Sequence, residues 1–136
     1  FILTTGQRNF AYFHSEQRMI PRLREIEPDP IVEINPNDAK RLGISQGDWV
    51  KLENMWGKCR LKARVTYSVS EGLVAAQHAW WKPEENGEAP YYYGALDFNP
   101  NNLIPNHYIG KTGYGANIKS SICSVERLDG DERFEK

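Results

Sequence analysis

In one short segment near its start the chain places Thr4, Thr5, Gly6, Gln7, Arg8, His14 and Ser15, directly after the apolar run Phe1-Ile2-Leu3. The threonines and Ser15 offer hydroxyls, Arg8 a planar fork of donors suited to phosphate, and His14 a ring that can stack or donate. These types suit holding a polar, anionic ligand. A β-prone run that stops at Thr-Gly predicts a strand entering a turn, because glycine alone reaches positive φ without a Cβ penalty. A strand followed by exposed donors is how many ligand loops are built. Taken alone, though, these residues read more often as an ordinary turn with Arg8 and His14 solvated. The rest of the chain decides between the two.

A second group closes an apolar run, Leu73-Val74-Ala75-Ala76-Gln77, with His78, Trp80 and Trp81. A strand end that turns aromatic and polar is a favoured ligand contact, and equally a way to plug the end of a core. From Lys82 to Gly115 the composition shifts to Pro, Gly, Asn and Tyr, including Tyr91-Tyr92-Tyr93 and Asn99-Pro100-Asn101-Asn102. So long a stretch without periodicity is usually functional or covers another domain, and its tyrosines are of the kind interfaces prefer.

Self-sufficient chemistry is missing. The phosphate-loop, dinucleotide-fold, metalloprotease and serine-hydrolase motifs are absent, and the three histidines lie in separate segments without metal-ligand spacing. No catalytic and no metal-binding residue is therefore assigned. Cys59 and Cys123 lack Cys-x-x-Cys spacing and sit in alternating runs, which suits small core residues, with a disulfide left open. Ligand binding without chemistry is the economical reading.

These groups need a scaffold. Ile31–Ile34, Trp49–Glu53, Lys58–Thr66, Leu73–Trp81 and Ile118–Glu126 all read as strands. Lys58–Thr66 alternates most cleanly, with Cys, Leu, Ala and Val on one face and bases on the other; the basic face is expected to be solvated. Asn54–Gly57 predicts a hairpin connection. Asn35-Pro36-Asn37-Asp38 followed by Leu42-Gly43 carries cap, first-turn proline, acidic first turn and left-handed exit, hence one short helix. The proline-punctuated run Arg18–Pro30 is expected to be a solvated connection. A mainly β fold results, a closed barrel with one or a few short helices and a long irregular aromatic loop.

Composition sets the outer limits. The 136 residues, 40% hydrophobic and 26% charged, fit one globular domain that buries about two thirds of its unfolded surface. A net charge of -1 argues against a generic nucleic-acid or anionic-membrane binder. No apolar run approaches the ~20 residues of a membrane span. Opening at Phe1 suggests a processed or excised piece of a longer protein. The barrel is expected over 1–128 and a charged tail over 129–136.

Taken in order, Thr5-Gly6-x-Arg8, His14-Ser15, Pro21-x-Leu23-Arg24-Glu25, Val32-Glu33-Ile34-Asn35-Pro36-x-Asp38-Ala39, Leu42-Gly43-Ile44-x-x-Gly47-Asp48-Trp49-Val50, Ala63-x-Val65-Thr66 and Gly72-Leu73-Val74 closely resemble one family. It is the C-terminal molybdopterin-dinucleotide-binding domain of the dimethyl-sulfoxide-reductase superfamily, whose members include formate dehydrogenases and periplasmic nitrate reductases. The similarity covers nearly the whole chain.

The resemblance implies a double-psi β-barrel packed over bis(molybdopterin guanine dinucleotide), with molybdenum or tungsten, as the last domain of a catalytic subunit. Thr5, Gly6, Gln7 and Arg8, with His14 and Ser15, match the family's loop against pterin and phosphates. His78 and Trp80 match the ring or polar group after the Gly72-Leu73-Val74 strand, Asn101 the asparagine of Asn-x-Leu-Thr, and Lys119 the basic residue opening the last strand. Gln7 stands where many relatives carry Arg, the segment after Ser15 lacks the usual small residue and threonine, and Ile104 replaces the common Thr. The metal's protein ligand and any iron-sulfur cysteines would lie in preceding domains, with an iron-sulfur electron-transfer subunit a further partner, no nucleic acid and no direct membrane insertion. The alternative is a non-enzymatic double-psi recognition module for protein or nucleic acid.

Overall fold

Alternating strands dominate the sequence, and in the computed structural model, which describes residues 1–11, 13, 16–105 and 119–130, they form one curled sheet. β1 (Ile2–Gln7), β2 (Ile31–Ile34), β3 (Trp49–Asn54), β4 (Gly57–Val65), β5 (Leu73–Gln77), β6 (Ser121–Ile122) and β7 (Ser124–Arg127) pair in the order β6-β1-β5-β2-β4-β3-β7. β1 with β5 and β2 with β4 are parallel, and the other pairs antiparallel.

The two outer strands of that order are consecutive in the chain, with only Cys123 between them. One segment therefore pairs with β1 through β6 and with β3 through β7, and the ring of pairings closes. Cys123 seals the join: its N–H donates to the Phe1 carbonyl at 3.0 Å, and its carbonyl accepts from the Phe1 nitrogen at 2.8 Å. This is the mainly β, double-psi barrel that the resemblance implies. The continuous last strand expected from sequence is interrupted at Cys123, where the partner changes from β1 to β3.

Period-two alternation sends one set of side chains into the barrel. Leu3, Val32, Ile34, Val50, Leu52, Cys59, Leu61, Ala63, Val74, Ala76, Cys123 and Val125 share a single core cluster. Both cysteines are free thiols within it.

Local signals hold where they are purely local. α2 (Pro36–Leu42) starts at Asn35, whose side chain accepts from the Asn37 N–H, and ends at Gly43 with φ 67°. Asp38 is buried and accepts from the Gly72 N–H at 2.7 Å and from Arg41 Nη2 at 2.5 Å, tying α2 to the turn before β5. The β3–β4 hairpin is held by Asn54 Oδ1, which accepts from the N–H groups of Trp56 and Gly57.

Two expectations are corrected. The basic face of β4 is covered at Arg60, although Lys58 is exposed as expected. α3 (Ala95–Phe98) packs on β4, and Arg60, 2% exposed, lies with its guanidinium carbon 4.8 Å from the Phe98 ring centroid and 5.3 Å from that of Trp49. Cations stacked on ring faces gain from the ring quadrupole, which offsets the cost of burying them. Nor is Arg18–Pro30 a solvated connection. It contains α1 (Pro21–Ile26), buries Arg18 and Glu27, and clamps onto β4 through Arg64 to Glu27 (2.8 and 3.0 Å) and Lys62 to Asp29 (2.8 Å).

The aperiodic stretch after Lys82 also folds locally. Besides α3 it contains 3-10 turns at Tyr92–Gly94 and Pro100–Leu103. The described part of the expected tail, Asp129 and Gly130, follows β7 as an exposed bend.

Candidate functional site

Because β1 and β5 run parallel, their C-terminal ends meet at one end of the barrel, and most of the candidate residues sit there. The pairing Leu3↔Val74, Thr4↔Ala75 is regular until Gly6 and Gln7 both face Gln77 across a bulge. A bulge adds a residue on one strand and re-aims the side chains beyond it. β1 thus continues through Gln7, correcting the turn expected at Gly6, whose φ lies outside the left-handed range.

Gly6 is exposed, and a Cβ built on it would meet only Thr4 Oγ1 at 3.6 Å and Lys119 Cε at 3.9 Å. Lys119, distant in sequence, therefore lies beside the end of β1. The antiparallel pairing Leu3↔Ser121 explains this, since it carries the chain before β6 alongside β1. Arg8 is exposed, its guanidinium carbon 5.7 Å from the Phe13 ring. Thr5 is buried on the barrel-facing side of β1. His14 and Ser15 lie outside the described residues.

On the β5 side, His78 follows directly and is partly exposed. Trp80, 1% exposed, forms a small second core with Phe98, and the Arg18 guanidinium stacks 3.8 Å from its ring centroid. Arg18 also donates through Nη1 to the Trp81 carbonyl. The indole is a packing element whose position fixes where His78 and Trp81 leave the barrel. Asn101 is exposed in the turn Pro100–Leu103, two residues before Leu103, whose carbonyl accepts from Asn54 Nδ2 at 2.9 Å and Ser121 Oγ at 3.4 Å. That turn borders the strand leading back to Lys119.

Gly6, Gln7, Arg8, His78 and Lys119 are thus gathered at the shared end of β1 and β5, with Asn101 on the flanking turn. Sequence reading passed over Gln77. It is 3% exposed, and neither of its amide atoms has a hydrogen-bond partner among the described residues. Gln7 Oε1 is in the same condition. The signal was present as a lone amide closing an otherwise apolar strand.

The arrangement brings together groups that suit an anionic, polar ligand. Arg8 and Lys119 supply positive charge, Gly6 leaves the backbone open to close approach, and buried carboxamides wait at the bulge. Residues 1–121 match the family described as molydopterin dinucleotide binding domain. The chain belongs to that family. The dinucleotide-binding domain is 52% identical over 81 residues to the dopamine dehydroxylase of Eggerthella lenta, covering 60% of this chain and 8% of that protein. It is 36% identical over 95 residues to the biotin sulfoxide reductase of Cereibacter sphaeroides, covering 69% of this chain and 12% of the reductase. Its fold matches acetylene hydratase from Pelobacter acetylenicus with a TM-score of 0.85 and 24% identity over 93% of this chain and 18% of the hydratase.

The chain accordingly spans a small fraction of these relatives. Among the described residues of the dinucleotide-binding domain, no three His, Cys, Asp or Glu side chains gather to hold a metal, and no helix is long and apolar enough to cross a membrane.

Proposed function

We propose that this domain holds molybdopterin guanine dinucleotide at the shared end of β1 and β5, as the cofactor-binding domain of a molybdenum or tungsten bis-pterin oxidoreductase. The observation that carries the reading is Gly6. Its backbone needs no glycine and its surroundings have room for a methyl group, so the missing side chain serves something that approaches from outside.

The residues present fit such a group. Arg8 can fork onto a phosphate, Lys119 adds a point charge beside Gly6, and His78 and Asn101 bring donors from the flanks. When bound, the cofactor supplies the metal-centred redox chemistry. The domain's own residues bind and orient it, exclude water from one side, and set the hydrogen bonds around it that tune the centre. The metal's protein ligand and substrate pocket belong to other domains of the same subunit, with an iron-sulfur subunit as electron partner. The relatives named above are large enzymes, which favours this reading over a free-standing recognition module.

The test uses the full-length protein. Denaturation should release pterin and GMP together with molybdenum or tungsten, and Arg8→Ala should lower all three several-fold. Unchanged metal and pterin content in that variant would remove Arg8 from the assigned role.

A further inference from the structure

We infer that the Gln77 carboxamide is a cofactor contact, pairing with the 2-amino-4-oxopyrimidine edge that pterin and guanine share. The inference rests on the dinucleotide-binding reading above and names a residue and a ligand edge within it.

The argument begins with cost. A primary amide taken out of water without hydrogen bonds is strongly unfavourable, and an apolar residue of similar size would suit the run Leu73–Ala76 better. Gln77 is nevertheless buried with both Nε2 and Oε1 unpartnered among the described residues. Its place is also specific. It is the residue that both Gly6 and Gln7 face across the bulge, so it adjoins the glycine whose open side favours ligand approach, and Gln7 Oε1 is idle beside it.

Chemistry selects the ligand edge. A carboxamide presents a donor and an acceptor side by side in one plane. A phosphate offers acceptors only and would leave Oε1 unsatisfied. A lactam edge with its neighbouring amino group offers both donor and acceptor, so one planar pair satisfies both Gln77 atoms. Gln7, through Oε1, can accept from the same amino group.

The test is Gln77→Met, close in volume and without polar ends, in the full-length protein. Apoprotein from a host unable to make pterin should unfold at an unchanged or higher urea concentration, since an idle buried amide has been removed. Holoprotein should lose cofactor about tenfold faster on dilution, the loss of one buried amide pair. A change in the metal centre's electron paramagnetic resonance signal would place the contact on the pterin; a parental signal with the same faster loss would place it on the guanine. Should the Met variant fail to accumulate, Gln77→Asn, whose amide is one methylene short, should still speed loss several-fold.

Parental loss rates in these variants, or an apoprotein weakened by Gln77→Met, would overturn the inference, the latter because it would reveal an internal partner for the amide. If the unsubstituted protein releases no pterin at all, the underlying reading fails instead.

Discussion

Gly57 lies against the carbonyl of Asn102 so closely that a Cβ built on it would overlap the oxygen and come within 3.2 Å of the carbonyl carbon. The hairpin tip and the turn Pro100–Leu103 are therefore in backbone contact, with no side chain between them. Gly57→Ala must push one away from the other. We expect a loss of about 1–3 kcal/mol, read as a lower urea midpoint with an unchanged slope.

Gly6 should behave in the opposite way. Alanine there meets its neighbours at ordinary van der Waals distances, so Gly6→Ala should shift stability by no more than about 0.5 kcal/mol. Pterin and GMP content of the full-length protein should nonetheless fall several-fold. Full cofactor content in this variant would show that nothing approaches the glycine.

Arg18 joins the segment after β1 to the second core. Its removal takes away the stack on Trp80 and the bond to the Trp81 carbonyl, together about 2–3 kcal/mol. Arg18→Ala should also wet the indole, visible as a red shift in tryptophan emission. An unshifted spectrum would mean that the ring is covered without the guanidinium.

Asn35 serves two elements, since Oδ1 caps α2 and Nδ2 donates to the Val69 carbonyl at 2.8 Å. Asn35→Ala should cost about 1–2 kcal/mol, and Asn35→Asp should recover only the capping share.

The two core thiols give the fold a pH dependence. Burial raises Cys59 well above its ordinary 9.0 and Cys123 to about 11. The folded state keeps these protons where the unfolded chain releases them. Stability from this source is therefore complete below about pH 9 and drains away as pH climbs toward 11. Urea midpoints across that window should fall less steeply for Cys123→Ala, and iodoacetamide should leave both thiols of the native protein intact at pH 8.

How far the sequence could be read depended on the range of each signal. The helix at Pro36–Leu42 was legible because its cap, proline, acid and terminal glycine act within a few residues, and the strands were legible because alternation is local. The covering of Arg60 was not. Its partner Phe98 comes from an aperiodic stretch whose helical turns carry no period long enough to notice. Arg18 likewise finds Trp80 only through the fold, so a charged residue between prolines gave no hint of burial. At the site, the polar residue types around Gly6 were legible, but the turn expected there is strand, since β1 runs through Gln7. The bulge that sets Gln77 opposite Gly6 is a register property, which no single segment encodes.

The join at Cys123 carries a consequence for biosynthesis. Until residues 121–127 leave the ribosome, β1 and β3 both expose unpaired edges, and the seal between them must wait for β6 and β7 to be made. A nascent chain stalled before that point would be an open, adhesive sheet, so premature termination here should yield aggregates in place of a smaller working domain.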